Sequence, residues 1–403
     1  MLKINLTILG LLMATLQLFC QSFSIDSSKI YKHKKLSFDE ANILSSYYHQ
    51  EGVHSAITGG VGTEKLSDFA NVIDLKLSSY NGKGIKKSYG LEMGVDYYTS
   101  ASSDNIDYRV SSASSSDVRF YPSVNYRVEN EKTGVGLGGN LAFSKEYDYT
   151  SFGGGVNFSK ISKSQNTEFS AKANVFLDTY SQYVPSEFRS ELSGREQSKG
   201  NIGNAARNSF DMSMSVSQVM TKRFQMALTL DIAYQSGLLS TPFHRVYMDD
   251  GTLLRETLPG QRFKIPLGVR ANYFLGEKVI LRSFYRYYQD DWGMSSQTLH
   301  LEIPYRLSTF LSVSPFYRYY HQSKIDYFAP FQENKAGSEF FSSDYDLSGF
   351  TSQFYGVGVR HTPFKAISNL FSISQIELRG ALYNRSDGLS AGIVTLHVQF
   401  KGF

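Results

Sequence analysis

Apolar and polar side chains take turns along much of this chain. Tyr89, Leu91, Met93, Val95 and Tyr97 alternate with Gly90, Glu92, Gly94, Asp96 and Tyr98. Val118, Phe120, Val124, Tyr126 and Val128 alternate with Arg119, Ser123, Asn125 and Arg127. The same two-residue period returns over 169–178, 226–234, 263–273, 376–382 and 394–400. A period of two marks a β-strand whose two faces meet different surroundings. Repeated in segments of about ten residues, it predicts a transmembrane antiparallel β-barrel, apolar towards lipid and polar towards the lumen. So many strands would overfill a single soluble sandwich.

The connections support a barrel because they alternate in length. Short turns fall at 81–84, 130–132, 163–166, 221–223, 276–277 and 306–307, and long polar loops at 100–115, 181–207, 236–261 and 322–349. Outer-membrane barrels have short periplasmic turns and longer external loops. Three short external connections, near 148, 293 and 384–388, complete the parity. With the last strand running to the periplasm, counting backward gives an all-β barrel of about sixteen strands, the first placed over 53–61. Fourteen is the alternative if the shortest strands drop out. Sixteen strands enclose an aqueous interior unless something plugs it.

Two N-terminal stretches break the pattern. Lys3 precedes an apolar run over 4–18, too short to span a bilayer as a helix and suited to a signal peptide removed near residue 20. Cys20 is the only cysteine, and Phe19 before it does not suit a lipidation site, so the mature chain is expected to carry no thiol. Ser37 and Glu40 then have capping-box spacing, which predicts a short helix ending near 50–52. The expected organisation is a signal peptide over 1–20, a periplasmic or plug segment over 21–52, and the barrel over 53–403.

Composition adds three points. Aromatics make up 14% of the chain, as 28 Tyr and 29 Phe with a single Trp, and tyrosine suits the headgroup interface. The net charge of +4 is dispersed, which argues against nucleic-acid binding. No segment carries a cofactor signature. Export and the strand pattern together place the chain in the outer membrane of a Gram-negative cell, with lipid and the barrel-assembly machinery as partners. The terminal Phe403 agrees with this, although it is out of phase with Phe400.

The segment after the expected helix is the sharpest local motif: His54, Ser55, Ala56, Ile57, Thr58, Gly59, Gly60, Val61, Gly62, Thr63, Glu64. It lacks the Gly-Lys-Ser/Thr ending of a phosphate loop. His33, His49 and His54 with Glu51 or Glu64 match no metal-ligand spacing. The simpler reading is structural: the glycines allow a bend or a close approach to a plug, and Thr63 and Glu64 lock a turn. This motif, the pair Tyr47 and Tyr48 and the terminal Phe resemble the pattern of an uncharacterised family of Bacteroidota outer-membrane barrels, a domain of unknown function. The resemblance covers nearly the whole chain and implies no established activity. Genes for thioredoxin-like and flavin-transferase proteins near such members imply an envelope redox context.

Alternation also sorts the lumen charges. Glu92, Asp96, Asp178 and Asp231 should face inward from the N-terminal half, and Arg270, Arg282, Arg286, Arg318, Arg360 and Arg379 from the C-terminal half. Opposed acidic and basic walls in a wet pore would order water and favour small polar solutes. The expectation is therefore porin-like passage of such solutes. Pairing across a narrow barrel would instead seal it. The segments 282–288 (RSFYRYY) and 314–320 (SPFYRYY) read first as an aromatic girdle, with Tyr285, Tyr287, Tyr317 and Tyr319 facing lipid, and second as a ligand-stacking surface.

Two other classes remain. A non-conducting barrel could anchor an envelope protein partner through its external loops. A rim hydrolase would draw on His244, His300, His321 or His361, but no Gly-x-Ser-x-Gly elbow is present, and the chain is not expected to be an enzyme.

Overall fold

A computed structural model describes residues 33–99, 116–183, 185, 187–188, 201–363, 365–366 and 371–402. The signal-peptide segment, the loop over 100–115, most of 181–207 and Phe403 lie outside the described residues. In chain order the strands are β1 (Lys34–Gly52), β2 (Glu64–Tyr80), β3 (Ile85–Thr99), β4 (Ser116–Asn130), β5 (Val135–Lys145), β6 (Tyr149–Ile161) and β7 (Thr167–Tyr183). Then come β8 (Asn201–Thr221), β9 (Phe224–Gly237), β10 (Arg245–Tyr247), β11 (Leu253–Arg255), β12 (Gln261–Leu275), β13 (Val279–Asp290) and β14 (Ser295–Glu302). The last are β15 (Tyr305–Arg306), β16 (Leu311–Gln322), β17 (Phe350–His361), β18 (Lys365–Ala366), β19 (Phe371–Arg385) and β20 (Ser390–Gly402).

Sixteen of these make a closed antiparallel barrel. Each pairs with its neighbours in sequence, β1 pairs with both β2 and β20, and β9 pairs directly with β12. The short β15 and β18 extend their neighbours, and β10 with β11 forms a separate hairpin inside a loop. Closure matters because lipid offers no partner to an unpaired backbone group. Side chains follow the predicted phase. Tyr89, Leu91, Met93, Val95 and Tyr97 lie exposed on the outside, as do Tyr285, Tyr287, Tyr317 and Tyr319. Polar groups such as Asp178, Glu302 and Glu377 are buried within.

The expected N-terminal helix is not formed. Residues 37–52 belong to β1, which closes the barrel by lying between β2 and β20. Residues 53–61, expected as the first strand, form a loop with one 3-10 turn. The capping-box residues bond within the sheet instead: the Ser37 hydroxyl donates to the Ser78 carbonyl on β2, and Glu40 accepts from Asn42 on its own strand and from Lys76 on β2. Among the described residues the barrel wall begins at Lys34, so 34–52 is wall and not plug, while 21–32 lie outside the described residues.

The apolar core lies at one end, outside the barrel wall. Val246, Met248 and Ile325 are at most 1% exposed, and Leu258, Trp292, Met294, Phe328 and Phe341 are buried with them in two clusters. These residues come from the long loops over 238–260 and 323–349 and the β13–β14 turn. Long loops face outward in outer-membrane barrels, so this end is external and carries a packed cap. Burying each such side chain contributes about 2 kcal/mol towards ordering these loops.

Candidate functional site

Beneath the cap the lumen opens into a cavity of about 1060 Å³, lined among others by Arg270, Arg282, Arg286, His300, Glu302, Arg318, Phe354 and Tyr383. Strand register builds one wall of it. Arg270 pairs with Phe284, Phe284 with His300, His300 with Arg318, Arg318 with Phe354, and Phe354 with Tyr383. One cross-strand row over six strands thus sets two arginines among four rings, with a phenylalanine beside each guanidinium. The Arg270 guanidinium lies 5.6 Å from the Phe284 ring centroid, and that of Arg318 lies 5.4 Å from Phe354. An aromatic face holds a guanidinium in place and leaves its charge intact.

The six predicted arginines divide into two groups. Arg360 pairs with Glu377 at 2.8 Å, Arg379 with Glu302 at 3.0 Å and Glu377 at 3.2 Å, and Arg282 with Glu302 at 3.4 Å. Among the described residues, Arg270, Arg286 and Arg318 have no carboxylate within 4.0 Å. The predicted acidic residues lie elsewhere, on β3, β7 and β9. Asp96 accepts from the Tyr121 hydroxyl at 2.9 Å, Asp178 from Tyr149 and Asp231 from Ser213. No described ion pair joins Glu92, Asp96, Asp178 or Asp231 to any of the six arginines.

The N-terminal motif sits in the cap. The loop between β1 and β2 meets the loop between β9 and β12, which comes from the opposite side of the barrel. Arg245 Nη1 donates to the Ile57 carbonyl at 2.6 Å. The His54 ring stacks on Tyr345 at 3.7 Å and 7°, and its Nδ1 lies 2.9 Å from the Gly60 carbonyl. Gly59 and Gly60 have φ of 83° and 86°, and Gly62 has 87°. A Cβ on Gly59 would lie 2.7 Å from the Tyr247 ring, and one on Gly60 2.7 Å from the Ser343 carbonyl oxygen. These glycines let two cap loops touch backbone. Thr63 is exposed, and the turn bond expected of it is made by Thr58, whose hydroxyl donates to the Val61 carbonyl. Glu64 accepts from Gln50 at 3.0 Å.

Sequence reasoning weighed His244 only as a hydrolase candidate. In the cap its Nδ1 lies 3.7 Å from Glu256 Oε1 and 3.8 Å from Asp344 Oδ2. No periodic signal could have joined these three, because 244 and 256 flank the β10–β11 hairpin and 344 comes from the other long loop. Burial opposes a charge on His244, but the two carboxylates outweigh it and raise its pKa. Burial likewise opposes charge on Glu256, yet His244, the Ser342 hydroxyl and the Thr241 amide hold its pKa below the ordinary value. Asp344 is pushed up to about 6, chiefly by burial.

Among solved structures the chain is similar to Pseudomonas aeruginosa OccK1 (OpdK), at 9% identity and a TM-score of 0.40, over 90% of this chain and 98% of that one. It is also similar to a BenF-like porin from Pseudomonas fluorescens Pf-5, at 8% identity and a TM-score of 0.43, over 92% of this chain and 99% of that one. No curated protein matches it. Residues 96–392 match a family model described as a protein of unknown function, DUF3570, and the chain belongs to that family.

Proposed function

We propose that this barrel passes small polar solutes, anions preferentially, through the arginine chamber, with the cap setting access from outside. One observation carries the reading. Arg270, Arg286 and Arg318 face a cavity of about 1060 Å³ without a carboxylate partner, and two of them are braced by rings. Fixed, unneutralised charge in a low-dielectric wall raises the local concentration of counter-ions. The carboxylates at 96, 178 and 231 receive hydroxyls, not arginines, and so leave these three guanidiniums unneutralised.

The test is a planar-bilayer recording of the refolded barrel in a KCl gradient. The wild type should reverse towards the chloride potential. Replacing Arg270, Arg286 and Arg318 together by Gln should move the reversal potential towards potassium. An unchanged reversal potential in an open, folded barrel would overturn the proposal.

The cap gives a second reading its footing, since loops from opposite sides of the barrel meet over the lumen. On that reading the barrel is silent at rest and its loops dock an envelope partner. A correctly folded barrel with no conductance at any voltage would favour it.

A further inference from the structure

We propose that His244, Glu256 and Asp344 form a site for a divalent transition-metal ion that staples the two long cap loops together. The three side chains each turn one ligand atom towards a common point, and these atoms all lie within 4.8 Å of one another. The His244 Nδ1 is enclosed and has no hydrogen-bond partner, although it points at two carboxylates. Its separations from them, 3.7 and 3.8 Å, are too long for a hydrogen bond. A hydrogen bond therefore does not account for the arrangement.

A cation does. With metal–ligand bonds of about 2.1–2.2 Å, such separations correspond to ligand–metal–ligand angles of roughly 115–125°. That is slightly wider than tetrahedral, so the two carboxylates each need draw about 0.3 Å closer to His244 to close on an ion, with Glu256 and Asp344 approaching each other from within 4.8 Å. The ligands are also held from behind, as metal ligands usually are. Glu256 accepts from the Ser342 hydroxyl at 2.6 Å and from the Thr241 amide at 2.8 Å. Asp344 accepts from the Asp346 amide at 2.9 Å through Oδ1, which leaves Oδ2 for the ion. The Glu256 amide donates to the His244 carbonyl at 3.1 Å, fixing two ligands side by side.

One imidazole and two carboxylates suit Zn²⁺, Mn²⁺ or Fe²⁺ better than a soft cation. Beside His244 and Asp344 lies a cavity of about 300 Å³, which leaves room for water or a small ligand at a fourth position. The ion would bridge a loop anchored on β9 and β12 to one anchored on β16 and β17. It would neutralise two carboxylates that burial otherwise sets against each other.

The experiment uses the full mature barrel, refolded in detergent and stripped with EDTA. Bound metal is measured after dialysis against Zn²⁺, Mn²⁺ or Ca²⁺, and Co²⁺ is added to read ligand-field bands. We expect one Zn²⁺ or Mn²⁺ per chain, and Co²⁺ bands of a four- or five-coordinate site. His244→Ala and Asp344→Asn should each weaken binding at least tenfold and remove the bands. Heat-modifiable gel mobility should stay as in the wild type, since neither residue lies in the barrel wall. Zn²⁺ should also slow trypsin cleavage within 238–260 and 323–349 in the wild type but not in His244→Ala. Stoichiometric metal that persists in both variants, or none with any of the cations, would overturn the proposal.

Discussion

Arg318 is left without a carboxylate partner because Phe354 lies across from it on one side and His300 on the other. That distinction decides what the lumen can do, and it was only half legible in the sequence. Alternation alone indicated which arginines turn inward. Which of them stay unpaired depends on register: Arg360 finds Glu377 from 17 residues away and Arg379 finds Glu302 from 77. No local pattern reports partners at such separations. The glycines of the motif pose the opposite case, since their conformation is legible locally but their reason is not. Gly60 needs positive φ, and its missing Cβ makes way for the Ser343 carbonyl. An L-residue there costs about 1–2 kcal/mol in backbone conformation, and the 2.7 Å contact adds to it. Gly60→Ala should therefore loosen the cap by about 2 kcal/mol, or roughly 30-fold faster amide exchange over 323–349. Exchange in the barrel strands should be unchanged. Equal protection in both proteins would show that the loops do not depend on this approach.

The first strand shows why alternation can fail at the scale of an element. From Glu40 onward the even positions of β1 face the lumen, so Leu44 points inward and Ser45 outward. Both break the apolar-out rule, and the spacing of Ser37 and Glu40 then reads as a helix start. The structure resolves the conflict by pairing. The Ser45 hydroxyl donates to Asn71 Oδ1 at 2.8 Å on the same outer face, so each gives the other a hydrogen-bond partner against lipid. Inside, Asn42 bonds both Glu40 and Asp74. β1 cannot be an accessory segment, because without it β2 and β20 would each expose an open edge in the bilayer. Deleting residues 34–52 should abolish the compact, SDS-resistant form on an unheated gel. If the shortened chain still migrates as a folded barrel, β2 and β20 must be able to pair directly, and the assignment of β1 as the closing strand is wrong. The alternating stretches over 89–98, 118–128, 169–178, 226–234 and 263–273 do lie in barrel strands, but β8 begins at Asn201, inside the stretch expected as a long loop.

At the scale of the molecule, barrel and cap are stabilised differently. The wall is held by hydrogen-bonded closure and encloses a polar lumen, whereas the cap is a small apolar core built from distant loops. Val246, Ile325 and Met248 come from two loops, and the β1–β2 loop reaches this assembly across the lumen through Arg245 and Tyr247. Sequence length marked these loops as external but gave no sign that they pack, because their apolar residues follow neither a helical nor a strand period. On the proposed function, this places the packed cap in series with the arginine chamber. Replacing residues 324–349 by a short Gly-Ser turn would remove Ile325, Phe328 and Phe341 and with them most of the cap core. Single-channel conductance should then rise several-fold while the preference for anions persists, since Arg270, Arg286 and Arg318 lie below the cut. A rise with loss of selectivity would move the selective element into the cap. Unchanged conductance would place the limiting resistance at the chamber, where the guanidinium row and its supporting rings become the next residues to vary.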